Sequence, residues 1–193
     1  MVKMRRFLRK SSVGVEPLAV TMSGVRLGER ALQMGLDDPH IAAAIAAKTG
    51  LTGQATIVVT DETAATAARS AIADAGGLGD VHVVAALHPL PLEDQTYDAV
   101  IVHTARGLLA SLAPDARERA LTECRRVLRV GGRLIALEAG APTGLRGLFG
   151  GAKSDTDYET AGGTAAALDR AGFRPVRTLG DRQGYRFIEG LKA

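Results

Sequence analysis

The chain has 193 residues, of which 46% are hydrophobic and 23% charged, and its net charge at pH 7 is +3. Such a length suits one domain of roughly 150 residues with short additions, large enough for a core without disulfides. A single cysteine excludes an intramolecular disulfide framework and a cysteine-rich zinc site. The longest apolar run, 41–47, is far shorter than the ~20 residues of a membrane span, and no signal peptide is visible. We therefore expect a cytoplasmic protein.

The first 22 residues form a predicted basic extension ahead of a domain that covers 23–193. Positive charges alternate there with apolar side chains over residues 3–10. A segment of this kind can contact an anionic lipid surface or nucleic acid, although a solvated terminus is the simpler interpretation. Aromatic residues are only 4% of the chain and tryptophan is absent, which argues against a base-stacking surface. Peripheral membrane contact therefore stays open, and nucleic acid is not an expected partner.

From about Gly28 onward, apolar strands alternate with helical stretches. Nearly continuous apolar runs such as 55–60 and 97–103 are typical of parallel strands that are covered on both faces. The predicted strands are 30–34, 55–60, 81–85, 97–103, 133–138, 174–179 and 185–191. The predicted helices begin near Asp38, Asp61, Pro114 and Gly163 and end near Gly50, Gly76, Gly131 and Ala171.

This alternation predicts an α/β fold, a Rossmann-like doubly wound sheet of seven mostly parallel strands that ends in a C-terminal antiparallel hairpin. The turn of that hairpin is predicted within 180–184. Ligands of such sheets bind beyond the carboxyl ends of the strands, near the point where the strand order reverses. The residues that follow the first five strands are therefore the ones to examine: 35–38, 61–62, 86–87, 103–104 and 138–140.

Two segments carry a resemblance to a known family. Residues 124–135, Cys-Arg-Arg-Val-Leu-Arg-Val-Gly-Gly-Arg-Leu-Ile, resemble the helix–Gly-Gly–strand element of class I S-adenosylmethionine-dependent methyltransferases. Residues 90–100, Leu-Pro-Leu-Glu-Asp-Gln-Thr-Tyr-Asp-Ala-Val, resemble the loop into that family's fourth strand. The resemblance covers about residue 23 to the C-terminus and is nearest to the ubiquinone/menaquinone-biosynthesis C-methyltransferases. It implies the class I methyltransferase fold and S-adenosylmethionine as the cofactor.

The resemblance also implies a cofactor turn after the first strand, where the chain has the sequence Gly-Leu-Asp-Asp-Pro at 35–39. Gly35 is the glycine that lets backbone approach the cofactor, with Leu36 beside it. The family's later glycines are replaced here by aspartate and proline. Asp37 has two interpretations: it binds the ammonium of the methionine moiety, or it caps the next helix together with Asp38.

The turns after the second and third strands complete the implied cofactor site. Asp61, with Glu62 beside it, matches the acid that binds both ribose hydroxyls, and capping of the following helix is the alternative role for Asp61. Ala86 stands where the family often has an acid that contacts the adenine amine. Adenine recognition would then rest on backbone groups and on packing against Leu36 or Leu87.

His103 is the candidate catalytic residue, because it lies at the ligand edge of the fourth strand and its ordinary pKa suits a general base. The alternative is a histidine that only lines the pocket. Methyl transfer from a sulfonium depends mainly on alignment, so little other acid–base machinery is expected. The remaining histidines share no spacing that would build a metal site, and Cys124 is predicted to be a core residue.

Two functions follow from these residues. The first is S-adenosylmethionine-dependent methyl transfer to a small-molecule acceptor, with an apolar acceptor as one option. The second is a methyltransferase-fold binding or scaffold protein that has lost catalysis, suggested by the replaced glycines and by Ala86. Residues 145–149 could close over an apolar acceptor or rest on a membrane, or simply pack as a loop. Residues 147–154 only approximate a phosphate-binding loop and do not predict nucleotide hydrolysis. The sequence does not predict the oligomeric state.

Overall fold

A computed structural model describes residues 16–140 and 156–193. The basic segment 3–10 and the predicted loops at 145–149 and 147–154 lie outside these residues. The elements in chain order are α1 (Leu18–Met22), β1 (Arg30–Met34), α2 (Pro39–Lys48), β2 (Gln54–Val59), α3 (Glu62–Asp74), β3 (Asp80–Val83), β4 (Tyr97–Thr104), α4 (Leu108–Ser111), α5 (Pro114–Val127), β5 (Leu128–Ala139), α6 (Thr156–Thr160), α7 (Gly163–Arg170), β6 (Val176–Arg182) and β7 (Tyr185–Leu191).

The seven strands form one sheet in the order β3-β2-β1-β4-β5-β7-β6. β1 to β5 are parallel, and β7 lies antiparallel between β5 and β6. This arrangement confirms the predicted fold class. The strand order reverses at β1, where Ala31 pairs with Ala55 of β2 on one side and with Ala99 of β4 on the other. The carboxyl ends of β1 and β4 therefore flank the crevice in which a doubly wound sheet binds its ligand.

The boundary between α5 and β5 differs from the prediction. The helix ends at Val127 rather than at the Gly131–Gly132 pair, and β5 already begins at Leu128. Leu128 is fully buried, has extended backbone angles and pairs with Tyr97. Gly131 donates its N–H to the Lys192 carbonyl at 2.8 Å, so the backbone of the glycine pair is held from the C-terminus of β7. Packing and pairing thus override the usual helix-ending role of glycine.

The C-terminal hairpin is tighter than predicted. β6 continues to Arg182, and only Gln183 and Gly184 connect it to β7. Both connecting residues have positive φ, 54° and 80°, as a two-residue turn of the type favoured by strand twist requires. Gly180, which was predicted to open the turn, instead pairs with Phe187 inside the ladder.

The core lies on both faces of the sheet. One cluster packs under α4, α5 and α7, and it contains Cys124, which is fully buried and whose thiol pKa is raised by burial. The prediction that Cys124 is a core residue is confirmed. The other cluster includes Ala19 and Val20 of α1, which are 2% and 1% exposed. Residues 18–22, predicted as the end of the extension, therefore pack with the domain. No helix in the two described ranges is both long enough and apolar enough to span a bilayer.

Candidate functional site

A cavity of about 250 Å³ lies beyond the carboxyl ends of β1, β2 and β4, where the topology predicts a ligand site. It brings together most of the predicted site residues: Gly35, Leu36, Asp37, Asp61, Leu87 and His103. The lining also includes residues that the sequence did not single out, among them Arg106, Leu108 and Ser111.

Two predicted residues are not part of this lining. Glu62 follows the capping residue Asp61 as the first residue of α3, and its side chain is 73% exposed and pairs with Arg69 at 3.3 Å. One step along a helix turns the side chain by about 100°, which carries Glu62 away from the cavity. Ala86 is exposed and does not line the cavity, whereas its neighbour Leu87 is 4% exposed and does. Neither Glu62 nor Ala86 therefore lines this cavity.

Gly35 is required by its surroundings. Its φ is +77°, and an added Cβ would lie 2.6 Å from Leu108 Cδ2 and 3.1 Å from the carbonyl oxygen of His103. The left-handed backbone and the close approach of β4 both exclude a side chain. The sequence predicted that Gly35 lets backbone approach the cofactor, and the structure shows in addition that β4 and α4 approach this glycine closely.

The two neighbouring aspartates have different partners. Asp38 caps α2, accepting from the N–H of His40 at 2.8 Å and of Ile41 at 3.4 Å. Asp37 instead accepts from the N–H of Ala105 at 2.7 Å and of Arg106 at 3.1 Å, and so joins the turn after β1 to the turn after β4. The capping interpretation of Asp37 is therefore wrong.

The Asp37 carboxylate is a nearly buried anion in the cavity wall. It is 7% exposed, and burial raises its pKa above the ordinary value, opposed by the two amide hydrogen bonds and by the nearby charge of Arg106. Each carboxylate oxygen uses one acceptor position on an amide and keeps another free. A cation placed in the cavity would offset the desolvation of this group.

The contacts of Asp61 are compatible with both of its predicted roles. Its Oδ1 accepts from the N–H of Ala64 at 2.8 Å and caps α3. The residue also lines the cavity, and Oδ2 has no partner in the described parts of the chain. Capping of the helix therefore fixes the carboxylate and leaves one oxygen for a hydroxyl group.

His103 is held by a buried amide. Its Nε2 lies 2.8 Å from Oε1 of Gln33, whose Nε2 donates to the Ala42 carbonyl at 2.9 Å. Since Gln33 Oε1 can only accept, Nε2 of the neutral ring carries the proton, an assignment made from the hydrogen-bond network. Nδ1 is then the acceptor. No fully buried side-chain nitrogen or oxygen among the described residues lacks a partner, so Nδ1, for which none is found, opens onto the cavity that His103 lines.

The pKa of His103 differs from the expectation. The side chain is 2% exposed, and burial lowers its pKa from 6.5 to about 4. At neutral pH the ring is therefore uncharged, a fixed hydrogen-bond acceptor rather than a base whose pKa matches the solution. The expected ordinary pKa is wrong because the histidine lies inside the α2-side layer of the sheet.

Arg106 is the charged residue that the sequence missed. It lines the cavity, its backbone N–H donates to Asp37, and its guanidinium makes no hydrogen bond or ion pair with any described residue. A basic residue two positions beyond the fourth strand was a usable signal, but the candidates considered there stopped at Thr104. No group of three or more metal-ligating side chains occurs in the residues that the structure describes.

Known proteins match this sequence and this fold. A family of methyltransferase domains matches residues 35–136, more than half of the chain. The protein therefore belongs to this methyltransferase domain family. The match begins just after β1 and includes β2, β3, β4 and most of β5, and with them the turns that line the cavity.

Its relatives include ubiquinone/menaquinone biosynthesis C-methyltransferases. That of Pseudomonas putida is 33% identical over 125 residues, and that of Psychromonas ingrahamii is 32% identical over 124. Each alignment covers 64% of this chain and 47% of the relative. The chain thus spans about half of the length of these relatives.

Solved structures show the same fold. A S-adenosylmethionine-dependent methyltransferase from Aquifex aeolicus superimposes with a TM-score of 0.67 at 19% identity, over 91% of this chain and 88% of that one. A structure of PigF with SAH gives 0.61 at 19% identity, over 93% of this chain and 62% of that one. The predicted methyltransferase family and the class I methyltransferase fold are confirmed.

Proposed function

We propose that this chain binds S-adenosylmethionine in the cavity beyond β1, β2 and β4 and transfers its methyl group to a small molecule. The observation that carries the proposal is the convergence of Gly35, Asp37 and Asp61 on one cavity at the point where the strand order reverses. Ligand pockets measure roughly 300–1,000 Å³. The cavity, at about 250 Å³, is slightly smaller than this range, so we expect the cofactor to extend over its open rim.

The polar groups of the cavity fit the parts of this cofactor. Asp61 offers its free Oδ2 to a ribose hydroxyl, while its other oxygen is fixed on α3. Asp37 offers its free acceptor positions to the ammonium, held in place by the amides of Ala105 and Arg106. Leu36 and Leu87 supply apolar surface for the adenine ring. When bound, the cofactor supplies an electrophilic methyl group on a sulfonium, so alignment contributes most of the catalysis.

His103 orients the acceptor through Nδ1. Gln33 fixes both the tautomer and the ring plane, so that the unprotonated nitrogen faces the cavity. A neutral imidazole with a pKa near 4 accepts a hydrogen bond from a hydroxyl or amine but is a weak base. His103 is therefore suited to an acceptor that has to be positioned and that loses its proton only after the methyl group has begun to transfer.

An apolar acceptor is the first class to test. The named relatives act in ubiquinone and menaquinone biosynthesis, and both products are apolar. The relatives are about twice as long as the matched segment, so acceptors of other classes belong in the same screen. The reduced, buried Cys124 is compatible with the cytoplasm, the compartment that we propose.

Calorimetric titration with S-adenosylmethionine and with its demethylated product tests the proposal. We expect micromolar binding by the wild type. Asp61→Ser keeps a capping oxygen but removes the second one, and should weaken binding about tenfold through the lost ribose hydrogen bond. Asp38→Ser is the matched control, because Asp38 caps α2 and does not line the cavity.

The opposite result is equally informative. A wild type that gives no heat and no rise in Tm up to millimolar cofactor would overturn the proposal, and the fold would then serve as a binding or scaffold protein. If binding occurs, a screen of apolar and polar acceptors that detects the demethylated cofactor identifies the reaction.

A further inference from the structure

The guanidinium of Arg106 is a cation at the cavity, and none of the residues in 16–140 and 156–193 pairs with it. Most other arginines at the edges of the sheet are paired: Arg133 contacts Glu29 at 2.7 Å, and Arg177 contacts Glu189 at 2.6 Å. Arg106 donates only its backbone N–H, and its guanidinium makes no hydrogen bond or ion pair with any described residue. A planar group with five donors is thus left at the rim of a ligand cavity.

The position of Arg106 relative to Asp37 is fixed. The Arg106 N–H donates to Asp37 Oδ1 at 3.1 Å, and the neighbouring Ala105 N–H donates to Oδ2 at 2.7 Å. An anion and a cation therefore stand side by side in one cavity wall, while the other acid of the lining, Asp61, lies across the cavity on the β2 side. Backbone hydrogen bonds, and not a contact between the two side chains, keep these two residues next to each other.

Such a pair is complementary to an α-amino acid. Its ammonium and carboxylate are attached to one carbon, so the groups that bind them have to lie next to each other. Guanidinium binds carboxylate through two parallel hydrogen bonds, which gives both strength and orientation. The rest of the lining is apolar, acidic or uncharged polar, as at Thr60, His103 and Ser111, and offers a carboxylate no other cation.

We propose that the Arg106 guanidinium binds the carboxylate of the cofactor's amino acid end, so that Asp37 and Arg106 together recognise the zwitterion. This inference rests on the proposed function, since it assumes S-adenosylmethionine in the cavity. It makes Arg106 a specificity-determining residue that separates the cofactor from adenosine compounds without a carboxylate.

The test pairs a protein change with a ligand change. Binding of S-adenosylmethionine and of decarboxylated S-adenosylmethionine is measured by calorimetry for the wild type, Arg106→Met and Arg106→Lys. Loss of a charge-assisted bond weakens binding about tenfold to a hundredfold. We expect Arg106→Met to show this loss for the intact cofactor and a change of less than about twofold for the decarboxylated one. Arg106→Lys should recover part of the affinity.

The matched control is Arg26→Met. Arg26 is also exposed, and its side chain has no partner in the described residues, but it precedes β1 at the opposite edge of the sheet. It should leave both affinities unchanged. Because both arginines are exposed, neither variant should lower Tm.

Three outcomes would overturn the assignment, and they differ. Equal weakening of both ligands by Arg106→Met means that the guanidinium acts on another part of the cofactor. No change in either affinity, with a raised KM for an anionic acceptor, assigns the arginine to the acceptor instead. A wild type that binds neither ligand removes the proposed function itself, before any variant is compared.

Discussion

The two edges of the sheet carry similar polar side chains that differ in whether they are paired. At the amino edge several charged side chains are paired: Arg133 contacts Glu29, and Asp98 accepts from Arg129 and from the N–H of Arg30. At the carboxyl edge, Asp61 Oδ2, His103 Nδ1 and the Arg106 guanidinium have no partner among the described residues. Identical residue types therefore stabilise the fold at one edge and remain available to a ligand at the other.

The largest expected effect comes from Gly35→Ala, compared with Gly131→Ala at the amino edge. Both glycines have positive φ, but only at Gly35 would a Cβ meet other atoms, whereas at Gly131 nothing lies within 4 Å. We expect Gly131→Ala to cost about 1–2 kcal/mol and Gly35→Ala about 2–4 kcal/mol. Gly35→Ala should also abolish cofactor binding. Urea unfolding and calorimetry measure the two effects, and equal effects of both variants would erase the contrast between the edges.

Arg133→Met should affect stability alone. Arg133 and Glu29 have side chains only 16% and 14% exposed, and Arg133 also donates to the Gly24 carbonyl. Removal of one partner leaves a part-buried charge, which costs roughly 3 kcal/mol. The cofactor affinity of the folded variant should equal that of the wild type. A drop in affinity without a drop in Tm would contradict the division of roles.

His103 should make the fold sensitive to acid. The pKa of His103 is about 4 in the folded chain and 6.5 without the effect of burial, so the unfolded state takes up the proton first as pH falls. Stability is therefore lost between about pH 6.5 and 4, and the loss from pH 7 to pH 5 amounts to about 2 kcal/mol. His103→Gln should remove that part of the pH dependence. Urea midpoints of the wild type and of His103→Gln at the two pH values give the comparison, and parallel profiles would show that folding does not lower the pKa of His103.

Asp37 should make cofactor binding sensitive to acid in a different way. Burial raises its pKa, and a proton on this carboxylate removes the charge that the ammonium needs. Below that pKa, affinity should fall by up to about tenfold per pH unit. Asp37→Asn should bind more weakly at pH 7 and show a flatter profile, whereas Asp38→Asn, on the helix cap, should change neither. Calorimetry over a pH series decides between them.

Local patterns predicted most of the fold. The apolar runs of β2 and β4 and the cap of α2 at Asp38 are encoded by neighbours in sequence, and these elements appear where they were expected. The α5–β5 boundary was not predictable in this way. It depends on the pairing of Leu128 with Tyr97 and of Gly131 with Lys192, both of which join distant parts of the chain.

The site was predictable only where strand order dictates it. Residues just after strands, such as Gly35, Asp61 and His103, were found because the carboxyl ends of parallel strands meet. The pairing of His103 with Gln33 spans 70 residues, so the sequence could not assign the partner of His103. Asp37 and Asp38 are the same residue type at adjacent positions, so the sequence could not assign their hydrogen-bond partners either. Arg106 lies in a turn without periodicity, and only its backbone hydrogen bond to Asp37 shows that it lies next to that carboxylate.

The reactivity of the buried Cys124 reports how often the core opens. It is the only cysteine of the chain, it lies on α5 against Met34, and its thiol is shielded completely. A thiol reagent therefore reacts only as often as α5 lifts from the sheet, since the buried thiol is inert. The rate at which the reagent alkylates Cys124 measures how often the native protein opens and how far a bound ligand slows that opening.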